Sequence, residues 1–107
     1  MRFVIVLAPQ AAQELRALPA RLRSEVRDAV EAHLRHEPTK LSKTRIKRLR
    51  GMAKPQYRLR VGETRVFHDV RDETVEVLAI VAKRQAEKWL AAQGAREQDS
   101  GTGEGEG

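Results

Sequence analysis

The first apolar positions form an unbroken, β-branched run, Phe3-Val4-Ile5-Val6-Leu7, which predicts a buried strand over residues 2–7. Ala8-Pro9 punctuates it, and Pro9 is acceptable in a first helical turn. Ala11, Ala12, Leu15 and Leu18 then recur at helical spacing until Leu18-Pro19 breaks the pattern. A second helix is predicted from about Pro19 to His36. Leu22, Val26, Ala29, Val30, His33 and Leu34 lie on one face, and the other face is charged. Glu31 and Arg35 there form a favourable i,i+4 pair, and Pro38 ends the helix.

Residues 39–55 have no clear period and predict a long loop, with room for a short strand around Ile46–Leu49. Strict alternation follows in Tyr57-Arg58-Leu59-Arg60-Val61 and again from Thr64, with Gly62-Glu63 between them as a two-residue hairpin turn. That turn sets Val61 opposite Thr64, Arg60 opposite Arg65, Leu59 opposite Val66 and Arg58 opposite Phe67. Tyr57, Leu59, Val61, Val66 and His68 then share one face, and Arg58, Arg60, Arg65 and Phe67 the other. A turn at Arg71-Asp72-Glu73 leads to Thr74–Val81, a near-continuous apolar run expected of a central strand covered on both faces. Residues 82–92 predict a terminal helix with Ala86, Trp89 and Leu90 inward and Gly94 as its stop.

The expected fold is therefore α+β in the order β-αα-β-β-β-α. It is a small, mainly antiparallel sheet with a helical hairpin on one face and the C-terminal helix at its edge. One domain covers residues 1–93. Residues 94–107 hold five glycines and no large apolar side chain, which predicts a disordered acidic tail.

Charge sharpens this picture. Between Lys40 and Arg65 stand ten basic residues and a single acid, Glu63. The formal net charge of +6 understates the domain, because residues 94–107 set Arg96 against Glu97, Asp99, Glu104 and Glu106; residues 1–93 carry +9. Such a surface stores repulsion that a polyanion relieves, whether nucleic acid or an acidic protein. The arginines of the hairpin either converge on a phosphate or splay apart over a solvated face.

The chain has no cysteine, which excludes disulfides and Cys-ligated zinc. His33, His36 and His68 are not spaced as a metal-ligand cluster, so no metal or other cofactor is expected. The N-terminal apolar run is too short for a signal sequence, and no stretch is long enough to span a membrane. A soluble, cytoplasmic protein without membrane contact is expected.

The order of elements, the step Arg48-Leu49-Arg50-Gly51-Met52, the strand Tyr57-Arg58-Leu59-Arg60, Gly62-x-x-Arg65-Val66 and the closing Val81-Ala82-Lys83-Arg84 together resemble the RelE/ParE superfamily of bacterial type II toxins. The resemblance covers about residues 2–92. It implies a toxin neutralised by a cognate antitoxin and oligomeric only through that complex. In the RelE branch it implies a metal-independent endoribonuclease that inhibits translation by cutting mRNA in the A site of the small ribosomal subunit. The basic positions of that branch match Arg58, Arg60, Arg65 and Arg84, the expected catalytic residues. Many RelE-like members carry a tyrosine in the terminal helix; here Trp89-Leu90 occupies that neighbourhood. The alternatives are a ParE-like inhibitor of DNA gyrase and a non-catalytic RNA-binding relative.

Cleavage through a neighbouring 2′-hydroxyl needs the hydroxyl deprotonated, the phosphorane charge stabilised and the leaving oxygen protonated. The arginines answer the second need, and no acid or base is evident. Tyr57 and His68 fall on the core face, Asp69 on the arginine face as a counter-charge, and Glu63 in the turn. Lys43, Arg45, Lys47, Arg48, Arg50, Lys54 and Lys83 are expected to track RNA phosphates. Phe67 either stacks on a base or packs under the terminal helix near Trp89.

Overall fold

The structure, a computed structural model, describes residues 1–97. Its elements are β1 (Val4–Leu7), α1 (Pro9–Ala17), α2 (Ala20–Leu34), β2 (Ile46–Arg48), β3 (Met52–Lys54), β4 (Tyr57–Val61), β5 (Thr64–Arg71), β6 (Thr74–Ala82), α3 (Ala86–Gln93) and β7 (Ala95–Arg96). A 3-10 turn, Lys83–Gln85, joins β6 to α3. The main sheet has the order β1-β6-β5-β4-β2. Only β1 runs parallel to its neighbour, with Val4 opposite Thr74 and Leu7 opposite Val77. The α+β architecture is the expected one. No helix among the described residues is long and apolar enough to cross a membrane.

The helical hairpin covers one face of the sheet. Ala11 and Leu15 of α1 and Val26, Val30 and Leu34 of α2 close over Ile46, Leu59, Val66, Val75, Val77 and Ile80. Leu22, expected inward, is 38% exposed. It lies in the first turn of α2, with Leu18 at the border of a surface hollow instead of over the sheet. The Arg35 guanidinium bonds Glu31, as the spacing predicts, and also donates to Phe3 O at 3.0 Å, tying the end of α2 to the start of β1.

The hairpin register is the expected one, from Val61–Thr64 through Tyr57–His68. Gly62 holds φ +57°, the positive φ that a type II′ turn needs at its first central residue. On β6 a bulge leaves Leu78 without a partner between Phe67–Ala79 and His68–Val77. It shifts the alternation, so Val77 and Ile80 both enter the helical face although three residues apart. Beyond Leu7 no strand among the described residues flanks that edge of β6, and the N–H of Ile80 donates to the Glu14 carboxylate of α1 at 2.7 Å.

Two expectations need correction. β1 is not buried on both sides: it is an edge strand whose Val4 and Val6 are 57% and 45% exposed, because no helix among the described residues covers the outer face there. Nor does order stop at residue 93. Ala95 and Arg96 form β7 against β3, and the N–H of Glu97 donates to Gly51 O at 2.8 Å. Gly94 caps α3 with an ordinary φ of −77°, so it is not there for a left-handed turn. A Cβ at that position would meet Met52 Cε and lie 2.7 Å from Leu90 O. The glycine permits close approach of α3 to β3. The remainder of the acidic tail, residues 98–107, lies outside the described residues.

Candidate active site

Alternation along β4 and β5 turns Arg58, Arg60, Arg65 and Phe67 away from α1 and α2. The two-residue turn then places Arg60 opposite Arg65. The β5–β6 ladder, paired through Arg65–Val81 and Thr64–Ala82, is extended by one more backbone hydrogen bond, from the N–H of Lys83 to Glu63 O at 2.7 Å. It carries the exit of β6 to the hairpin tip, and the 3-10 turn there brings Arg84 to the same cavity as Arg65. Between them opens a cavity of about 420 Å³, bordered by Arg58, Arg65, Lys83, Arg84 and Glu87, with Leu49, Phe67 and Leu90 as its apolar wall.

Positive charge here is not neutralised by ion pairing. Among the described residues none of Arg58, Arg60, Arg65 and Arg84 forms an ion pair with a carboxylate. Burial lowers the pKa of Arg58, and the charges of Arg65 and Arg60 lower it further. Burial and Arg60 do the same to Arg65, with Glu63 opposing. Arginine stays protonated regardless, so these shifts register repulsion held in the folded chain. The Nε of Arg58 is buried and has no hydrogen-bond partner. An anion placed in the cavity would relieve the repulsion among these guanidinium groups.

Arg65 has a second duty. It is only 5% exposed, and its Nη1 donates to Gly62 O at 2.8 Å and Thr64 O at 3.1 Å. The same guanidinium that faces the cavity therefore ties the turn. Arg60 is exposed and does not border the cavity, although its charge reaches both neighbours.

Several residues expected to contact RNA are engaged elsewhere. Phe67 is fully buried and stacks on Trp89 with centroids 5.1 Å apart and planes 7° from parallel, so it offers no free face to a base. Arg48 holds the β2–β4 segment together. Its Nη1 donates to Leu49 O at 2.7 Å, Gln56 O at 2.8 Å and Met52 O at 3.3 Å, Nη2 lies 3.7 Å from Glu97, and the guanidinium lies over the Tyr57 ring. Its Nη1 is thus turned to the protein's own backbone, while the side chain stays partly exposed. Lys54 sits at the far end of the outer face, 4.0 Å from Glu76 and near Asp69. Lys43, Arg45, Lys47 and Arg50 are exposed along β2 and its flanks, where solvated basic side chains can meet a polyanion. Lys83 joins the cavity itself.

Tyr57 and His68 lie on the core face and stack at 5.4 Å. Asp69 accepts the Gln56 N–H at 2.7 Å in a different hollow, with its pKa raised mainly by burial. Sequence reasoning missed Glu87, and it turned Leu90 inward without assigning it to the site. Glu87 follows Arg84 by three residues, one helical turn, and that spacing was the available signal. Among the described residues no cluster of three or more His, Asp or Glu side chains is arranged to hold a metal ion.

No curated protein sequence matches the chain. Its fold is similar to that of solved toxins. RelBE2 of Mycobacterium tuberculosis, a toxin–antitoxin complex, matches with a TM-score of 0.66 at 23% identity, over 77% of this chain and 99% of the other. The archaeal RelE–RelB complex of Pyrococcus horikoshii matches with a TM-score of 0.56 at 27% identity, over 78% and 97%. Isolated E. coli RelE matches with a TM-score of 0.61 at 21% identity, over 84% and 94%. The sequence model for the ParE toxin of the type II toxin–antitoxin system parDE matches residues 5–87. With that match spanning most of the chain, this protein belongs to the ParE toxin family and is a type II toxin of the RelE/ParE superfamily.

Proposed function

We propose that this toxin is an endoribonuclease that cuts mRNA held in the ribosomal A site. One observation carries the reading: Arg58, Arg65 and Arg84 border a single cavity, and no carboxylate pairs with any of them among the described residues. Fixed cations there would stabilise the phosphorane formed when a 2′-oxygen attacks the neighbouring phosphorus, and each such donor is typically worth about a hundred- to a thousandfold in rate. The cavity is open, so the message must be held in register from outside, a task suited to the ribosome; orientation of that kind lowers a barrier by several kcal/mol. A cognate antitoxin is the expected partner, and solved relatives such as RelBE2 are complexes of that kind.

The test uses Arg84→Ala, because Arg84 is exposed and makes no hydrogen bond or ion pair among the described residues. Induced in cells, the variant is expected to lose growth arrest and the new mRNA ends seen by primer extension, with its thermal unfolding unchanged. Undiminished arrest would refute the reading. A second reading, inhibition of DNA gyrase, is favoured by the ParE family match and by Trp89-Leu90 in place of a helix tyrosine, since Trp89 is engaged with Phe67. It predicts DNA damage on induction with messages left intact.

A further inference from the structure

We propose that Glu87 is the proton acceptor of the cleavage reaction, taking the proton of the 2′-hydroxyl beside the scissile phosphate. This inference rests on the endoribonuclease reading above. Glu87 stands in the first turn of α3 and is exposed, and among the described residues it is the one carboxylate bordering the arginine cavity. Arg58, Arg65, Lys83 and Arg84 border the same space, yet Glu87 forms no ion pair or hydrogen bond with any of them. A carboxylate whose role was to neutralise that cluster would be seen paired to it. An unpaired one keeps its lone pairs for a ligand.

Other groups able to take a proton are placed elsewhere. Tyr57 and His68 are stacked in the core, and Asp69 is hydrogen-bonded to the Gln56 N–H in a separate hollow with Lys54 and Glu76. Glu63, at the hairpin tip, does not border this cavity but the neighbouring hollow, which shares Lys83 and Arg84 with it.

In the step, the Glu87 carboxylate accepts the hydroxyl proton as the 2′-oxygen bonds to phosphorus. The bond from phosphorus to the 5′-oxygen breaks, and that oxygen takes a proton from water in the open cavity. The hydroxide so formed removes the proton from Glu87, which returns to its starting state. The products are a 2′,3′-cyclic phosphate and a 5′-hydroxyl, with no net proton exchanged.

The experiment compares the full-length protein with its Glu87→Gln, Glu87→Asp and Arg84→Ala variants, using purified ribosomes programmed with a defined message. Glu87→Gln is expected to lower kcat by about a hundredfold or more, the usual worth of a general base, while ribosome binding persists. Glu87→Asp should keep part of the rate. If the unaltered protein cuts, Arg84→Ala does not, and Glu87→Gln retains the full rate, the assignment of Glu87 is overturned and the nuclease reading stands. If the unaltered protein cuts nothing, both fall together. Circular dichroism on each variant excludes unfolding as the cause of a lost rate.

Discussion

His68 makes stability depend on pH in a direction that can be calculated. The ring is fully buried, stacked on Tyr57, with Nε2 3.1 Å from Pro38 O. A carbonyl only accepts, so Nε2 carries the proton, and the buried Nδ1 is left without a partner. Burial pushes the ring from 6.5 down to about 4, opposed in part by backbone hydrogen bonding to Pro38. An unfolded chain therefore takes up this proton near pH 6.5, whereas the folded chain resists until about pH 4. The stabilisation is whole above the unfolded value, declines as pH falls from there, and levels off below the folded value. Integrated across that window the loss is on the order of 3 kcal/mol, a large fraction of what a small domain possesses. Urea unfolding of the native protein and of His68→Gln, from pH 7 to 4, checks it. The variant is less stable at pH 7 through lost packing, and the gap between the two narrows toward pH 4. Taking the difference cancels other titrations. Among these is Asp69, whose raised pKa acts the opposite way: its stabilisation is present at low pH and is lost as pH climbs from 3.8 through the folded value. A gap that stays constant with pH would refute the reasoning.

Two further outcomes follow from single contacts. Glu14→Ala leaves the N–H of Ile80 without its acceptor beside the bulge, and urea unfolding should show a loss of about 1–3 kcal/mol. Gly94→Ala forces a methyl against Met52 and the Leu90 carbonyl, costing about 1–3 kcal/mol by the same assay. Hydrogen exchange should show the amide of Glu97, bonded to Gly51 O, losing protection first; protection equal to that of the unaltered protein would disprove the close approach as the reason for glycine.

Strand alternation and turn chemistry made much of this molecule legible. Period-2 patterning with Gly62-Glu63 between the runs is enough to set Arg60 opposite Arg65 and to send Tyr57 and His68 inward, because a slip of one residue would bury the arginines. Side-chain partners that arrive from distant chain are not written locally. Nothing in Lys47-Arg48-Leu49 says that one basic side chain will gather three carbonyls while its neighbour faces solvent. Phe67 was equally poised between stacking on RNA and packing, and the position of Trp89, 22 residues later, decided it. The bulge at Leu78 leaves no composition signal in an already apolar run, and β7 escaped notice because glycine-rich sequence next to it reads as tail.

Arg65 shows why the site residues cannot be ranked by charge alone. Its Nη1 closes the hairpin turn on Gly62 O and Thr64 O, and that turn, through Glu63 O, accepts the last bond of the β5–β6 ladder from Lys83, next to Arg84 in the chain. Removing the Arg65 side chain thus removes one cation from the cavity and loosens the turn that adjoins another in the same step. A lost activity would report both together, and the two losses would not add as independent terms. Arg84 is the end of that chain of supports: nothing among the described residues depends on its guanidinium. Chemistry is best read at Arg84 and Glu87, whereas Arg65 reads the coupling between hairpin and cavity. The repulsion among Arg58, Arg60 and Arg65 persists because the hairpin's other face is anchored in the core through Leu59 and Val66, so the strands cannot twist apart to relieve it.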